Sequence, residues 1–389
     1  MEENYYVMEI RVLASIWGEA YAKIFLKWSL PSLLSNGNSG RIIDAGHNLT
    51  FCLFGDSSTL EVLRSHNLVN SSGGIDFQFY DISETLFDGK PIDFNLANYD
   101  TLSYTHELQS RCFMCGMEQS TEDKLAFVFW TADFILSDGG LAWAVQQVDG
   151  GQKAVYCDFI EISQQAIADE LNTQFKNLGD GPSGRQLADI ALRHPHQDTL
   201  DHFCDNGSIS DYPPFLFWRS EDDSFVHTGI FPHPLVVCFD GSTTRFESSI
   251  DYEFAQRVVG DGPYIKAIDS DDLLLCVVGG ESAMRQFERN TLTPEWLAKF
   301  LILEANISHF ELAQKIGIVH SSDIEPSSEI KRSQITQFFQ AVREQLILIG
   351  NKSDHGDLKT FMAVKSFFGP CVLYASPQRQ IINQRLLDR

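Results

Sequence analysis

Residues Leu125 to Gly140 read Leu-Ala-Phe-Val-Phe-Trp-Thr-Ala-Asp-Phe-Ile-Leu-Ser-Asp-Gly-Gly, and the fold turns on them. Leu125 to Trp130 is an apolar run without a polar break, the pattern of a strand buried on both faces of a parallel sheet. Two carboxylates, Asp133 and Asp138, follow directly, at the edge where open α/β sheets bind their ligands. A carboxylate there can hold a divalent cation that bridges two phosphates. The same residues also suit a helix cap at Asp133 and a plain turn at Asp138-Gly-Gly.

Working outward, Ile10 to Ile16 is a short apolar run, followed by Gly18 and then by Tyr21, Ile24, Phe25 and Trp28 at helical spacing. That is a strand, a tight turn and an amphipathic helix, which Pro31 restarts with Ser29 as its cap. Leu49 to Phe54 predicts a second strand that breaks at Gly55-Asp56 and feeds a helix around Leu60 to Arg64. Ile75 to Tyr80 alternates like a third strand, and Tyr104 to Gln119 predicts a helix before the central run. Leu141 to Val148 suits another helix and Ala154 to Cys157 another strand. Strands alternating with helices argue for a mostly parallel, doubly wound α/β sheet.

Between about 180 and 280 the chain turns irregular and rich in aromatic, His and Pro residues, the texture of substrate walls laid over a sheet edge. Thr293-Pro294 starts a helix, and Ile335, Phe338, Phe339, Val342 and Leu346 place an apolar stripe on a second, ended by Gly350. The expected division is a catalytic domain over 1–285 and a helical C-terminal appendage over 290–389. The stripe is expected to pack on Trp296, Phe300 and Leu303 first, with a homodimer contact as the second use.

The 389 residues carry a formal charge of −24, a field that repels a polyphosphate backbone, so nucleic acid is excluded as a partner. Acids stand at the N-terminus where a signal peptide carries positive charge, and no stretch reaches the ~20 apolar residues that span a bilayer. A cytoplasmic protein is expected. Cys112 and Cys115 lack a second pair at zinc spacing and read as core packing.

The segments ASIWGEAYAKIFLKWSLPSLLSNGN, TADFILSDGG, ADIALRHPHQDT, HTGIFPHPLVV, SSIDYEFAQRV and AIDSDDLLLCVV, in that order, resemble bacterial glycosyltransferase-like proteins of the nucleotide-diphospho-sugar transferase (GT-A) superfamily. The resemblance covers about residues 10 to 280. It implies a GT-A-like, Rossmann-like fold and transfer of a sugar from a nucleotide-sugar donor to a hydroxyl acceptor, assisted by a divalent cation, Mn2+ or Mg2+. By the same resemblance Ser15, Trp17 and Gly18 form the floor under the nucleotide, and Asp133 contacts the metal and diphosphate. Thr131-Ala132-Asp133 keeps only the last acid of the Asp-x-Asp triplet. A late His, here His233 in preference to His227, is implied as the second metal ligand, and Asp251 or Glu253 as the general base.

Each assignment has a plainer reading. Trp17 suits a core, Asp56 can bind ribose or cap the next helix, and Asp251 at a helix start is stabilised there by the helix dipole. His194 and His196, two apart, can share one side of an extended segment and meet a metal or phosphate. Asp269, Asp271 and Asp272 suit a solvated turn. Two other functions compete: a catalytically inactive nucleotide-sugar-binding or scaffold protein that docks a partner through its helical C-terminus, and a metal-dependent phosphohydrolase. The latter lacks the Asp-x-Asp nucleophile pattern after the first strand.

Overall fold

The computed structural model describes residues 7–90, 92, 101–118, 125–175, 177, 179–221, 224–239, 249–251, 262–280, 288–305 and 307–351. Glu253 and everything after 351 lie outside them. The strands are β1 (Glu9–Ser15), β2 (Asn48–Gly55), β3 (Asp76–Asp81), β4 (Leu125–Thr131), β5 (Phe134–Leu136), β6 (Ala154–Cys157), β7 (Phe159–Ser163), β8 (Ser208–Ser210), β9 (Phe215–Arg219), β10 (Ser224–Gly229), β11 (His233–Phe239), β12 (Tyr264–Lys266), β13 (Leu275–Gly279), β14 (Arg289–Thr291) and β15 (Gly317–His320).

Seven of them form the main sheet in the order β12-β6-β11-β4-β1-β2-β3. All run parallel except β11, which lies antiparallel to both β4 and β6. The apolar run of β4 is buried throughout because helices cover both faces. On one face Val12, Ala14, Val128 and Trp130 meet Leu33, Leu60, Leu141 and Val145. On the other, Leu13, Phe127 and Phe129 meet Leu108, Cys112 and Phe113 of the helix Thr101–Glu118. The two cysteines are free thiols, Cys112 fully buried.

One local expectation changes. Ser29 does not cap a restarted helix: a π-helical turn over Phe25–Ser29 runs straight into Leu30–Leu34. The Ser29 hydroxyl instead accepts the buried Trp130 indole N–H at 2.8 Å, a donor that would otherwise be left unsatisfied in the core.

The C-terminal segment is interleaved with earlier chain. β14 pairs with β8, and β15 with β10, which in turn pairs with β9. Residues on both sides of the expected 285–290 boundary therefore share one layer with the helices Pro294–Glu304, Ile307–Ala313 and Pro326–Asn351. Ile335, Phe339, Val342 and Leu346 are buried in a cluster with Leu297, Phe300 and Leu301, each such side chain contributing about 1.5–3 kcal/mol. Leu303 is 61% exposed and takes no part in that seam; Leu301, two positions earlier, faces it instead.

A buried charged knot ties this layer to the main sheet. The Lys266 ammonium on β12 lies 2.7 Å from Asp158 and donates to the Thr228 hydroxyl at 3.1 Å, while His227 Nδ1 is 3.0 Å from the same carboxylate. Thr228 and His227 belong to β10, and the Thr228 hydroxyl donates on to the Ala313 carbonyl. Burial pushes the Lys266 ammonium down and would push the Asp158 carboxyl up. Their contact prevails at Asp158, which is held below its usual value and stays ionised.

Candidate active site at the β1/β4 switch point

Strands β2 and β3 follow β1 on one side, whereas β4 joins it on the other. The strand order reverses between β1 and β4, and a crevice opens at the carboxyl ends of such a pair. Ser15 and Thr131 end these strands opposite one another in register, and the loops that follow carry Gly18 and Asp133. The Ser15 hydroxyl is buried with no hydrogen-bond partner among the described residues, a group whose desolvation cost a ligand would offset.

Asp133 is half-buried at this edge, its Oδ1 accepting the Thr131 hydroxyl at 2.6 Å. Desolvation pushes its carboxyl up, and the negative charge of Glu161 adds to that. The charge of Asp133 in turn raises the phenol of the exposed Tyr21. Asp138 lies beyond β5, about 15 Å of extended chain further on, where it accepts the Gly37 N–H at 2.9 Å and its own N–H bonds the Pro182 carbonyl. The two carboxylates are thus not brought together, and Asp138 staples two loops.

The first loop is held by Asp56. Its carboxylate accepts from Thr59 N–H, Ser58 and Thr59 hydroxyls and the Gly18 N–H, which fills its acceptor sites. Burial alone would raise this carboxyl, but those four donors overcome it and hold it at about 2. Gly18 sits at φ +83° with nothing within 4 Å of where a Cβ would stand, a conformation L side chains rarely adopt. Trp17 packs in the core beside Leu13 and Phe54.

Asp56 caps the helix Ser57–Ser65, so Asp56→Ala is expected to lower stability by about 0.5–2 kcal/mol. Because its folded pKa is depressed, the linked part of this stability is full above the free value of 3.8 and disappears as pH falls through about 2. Urea midpoints of the wild type and the variant should converge as pH falls from 5 toward 2. Parallel midpoint curves would remove that linkage.

On the other flank, His233 opens β11 against the end of β4. Its Nε2 donates to the Phe129 carbonyl at 2.9 Å, its Nδ1 is 2.9 Å from Asp251 Oδ1, and its ring stands edge-on to Phe134 at 5.0 Å. Both ring nitrogens of His233 are engaged, so a metal there would have to displace one of these contacts. Asp251 lies in the first helical turn after Ser249, its carbonyl accepting from His309 Nε2 at 2.9 Å. Burial pushes the His309 imidazole down to about 4, so it is neutral near pH 7.

A different set has the chemistry of a metal centre. The ligand atoms of Glu161, His196 and Asp198 all lie within 4.8 Å of one another. His196 is buried, with Nδ1 3.4 Å from Glu161, and its ring also hydrogen-bonds the Gly280 backbone, the outer contact that typically orients a ligating imidazole. Gly279 makes room: a Cβ there would stand 2.9 Å from the ring. Among the described ion pairs neither Asp133 nor Glu161 has a Lys or Arg partner. His194 points elsewhere, onto Glu170 at 2.8 Å beside Arg193. Asp269 and Asp271 group with His320 and with Arg185 instead.

Glu161 and Asp198 were not legible as site residues. The one available signal was the lone acid in Phe159-Ile-Glu-Ile-Ser163, which the alternation of β7 leaves half-buried between two buried isoleucines. No helix among the described residues is long and apolar enough to cross a membrane.

No protein-family model and no curated protein matches the sequence. Among solved structures, similarity is found to S. aureus TarS 1–349 in complex with UDP, at 8% identity and a TM-score of 0.30 over 90% of this chain and 74% of that one. Mouse xyloside xylosyltransferase 1 in its apo form matches at 11% and 0.26 over 40% of this chain and 53% of its own. The galactosyltransferase LgtC, in complex with donor and acceptor sugar analogues, matches at 12% and 0.21 over 40% and 47%. The chain thus spans about half the length of the latter two.

Proposed function

We propose that this protein transfers a sugar from a nucleotide-diphosphate donor to a hydroxyl acceptor at the β1/β4 switch point. The observation that carries the reading is Asp133: a half-buried carboxylate at the carboxyl edge of the central strand, facing a second acid and lacking a cationic partner among the described ion pairs. A binding protein for a neutral ligand has no use for that charge density. The sequence resemblance to nucleotide-diphospho-sugar transferases supports the same chemistry.

In this reading Ser15 and the Gly18 loop, braced by Asp56, receive the nucleotide. Glu161, His196 and Asp198 fit a divalent cation, with Asp133 beside them. Such a cation would neutralise the diphosphate as it leaves. Asp251 takes the acceptor proton; His233 holds its Oδ1 at 2.9 Å, and the longer 3.4 Å contact from the Ser249 hydroxyl to Oδ2 gives way to the acceptor hydroxyl. His233 is in this reading a positioning residue. Catalysis of this type rests on positioning and leaving-group stabilisation.

The test is thermal stabilisation by a panel of nucleotide-diphospho-sugars, with and without manganese. A ligand at 100 times its Kd stabilises by about 2.7 kcal/mol. Asp133→Ala should keep the wild-type melting temperature without ligand and weaken the best donor at least tenfold. An unchanged donor affinity in that variant takes Asp133 out of the site.

A further inference from the structure

We propose that the cleft between β12 and the helix Pro326–Asn351 binds a small organic anion with an apolar body. The cleft encloses about 540 Å3, within the range of small-molecule sites, roughly 300–1,000 Å3. It lies on the outer edge strand of the main sheet, on the far side of β6 and β11 from the switch point.

Its walls are of two kinds. Trp143 and Ile265 are half-buried, Ile316 is buried, and Ile268 is left 39% exposed at the cleft. Isoleucine held in water beside an open indole is the lining of an apolar ligand body. Against this stands Lys315, half-buried, its ammonium 3.4 Å from the Tyr264 carbonyl and 5.1 Å from the Tyr264 ring centre. Among the described ion pairs no carboxylate lies within 4.0 Å of it.

Glu311, four residues earlier, acts on the Lys315 ammonium through its charge while its carboxylate accepts the Tyr264 hydroxyl at 3.0 Å. Lys315 also sits near a second ammonium, Lys266, whose own charge is already held by Asp158. Burial and that repulsion push the Lys315 ammonium down against the attraction of Glu311, and an anion in the cleft adds a second attraction that favours the charged form. Arg332, from the facing helix, lines the same space and provides a second cation, with Glu329 at 2.6 Å on its own helix. Asp272 lines the cleft too. Burial and the neighbouring Asp269 and Asp271 push its carboxyl up.

The ligand chemistry is therefore a carboxylate, sulfonate or phosphate on an aromatic or aliphatic body. The experiment titrates the folded full-length chain with 1-anilinonaphthalene-8-sulfonate and with its uncharged analogue N-phenyl-1-naphthylamine, following fluorescence. Saturable one-site binding of the sulfonate is expected, with at least tenfold weaker binding in Lys315→Glu and in Arg332→Glu, and at least tenfold weaker binding of the neutral analogue. Circular dichroism checks that both variants fold; Arg332 is partly exposed at the cleft, so Arg332→Glu decides alone if Lys315→Glu does not fold. The proposal is overturned if the wild type shows no saturable binding, if the folded variants bind the sulfonate as the wild type does, or if the neutral analogue binds equally well.

Discussion

Lys266→Met lowers the stability of the protein by about 3–5 kcal/mol, the usual result of removing one member of a buried ion pair. Lys266 is fully buried and its partner Asp158 is 1% exposed by side chain. Deleting the ammonium leaves a carboxylate in the interior with only His227 beside it, and it also removes the donor to Thr228. A methionine fills nearly the same volume, so a cavity is not the cause. The check is the urea midpoint of Lys266→Met against the double variant Lys266→Met/Asp158→Asn, which removes the stranded charge. The double variant should regain at least half of the loss. If it is no more stable than the single one, uncompensated charge is the wrong explanation.

Asp251→Asn lowers kcat about 10²- to 10⁴-fold, the range for losing a general base. Asparagine can still accept the His233 N–H through its amide oxygen, so the segment stays docked on β11. Donor binding is expected to stay within twofold, because the base acts on the acceptor. Turnover per folded molecule and donor Kd, measured on the same samples, separate this from a structural role. A lowered melting temperature with unchanged turnover would reduce Asp251 to a brace between His233 and His309.

The parallel half of the sheet was legible because a strand covered on both faces must be apolar along its whole length, as Leu125 to Trp130 is. Asp133 followed from the same rule, since the end of such a strand is where polar groups return. What was hidden arises from distance in sequence. Nothing in Tyr264-Ile-Lys266 marks its lysine as buried, since a lysine there reads equally well as guarding an exposed edge strand. Only the approach of β10, carrying His227 and Thr228, makes it interior. The resemblance implies His233 as a metal ligand, whereas its contacts are with Asp251, 18 residues later, and with a carbonyl of β4. His196 stands out in the sequence beside His194, but Glu161, which it meets across a loop and two helices, does not. Trp17 and Asp56 followed their plainer readings locally, as core and cap, and Asp56 nonetheless holds the Gly18 loop in its conformation.

The interleaving of the C-terminal layer bears on how the chain is made. Ser224 on β10 pairs with His320 on β15, about a hundred residues later, and β8 likewise waits for β14. At synthesis rates of about 5–20 residues per second, β10 leaves the ribosome roughly 5–20 s before its neighbour exists. During that interval Trp218, Val226 and Phe231, all buried in the finished protein, have no cover, and one edge of β10 stays open to any other strand. A nascent chain halted near residue 290 should therefore bind an apolar-surface chaperone that a chain completed past 351 releases.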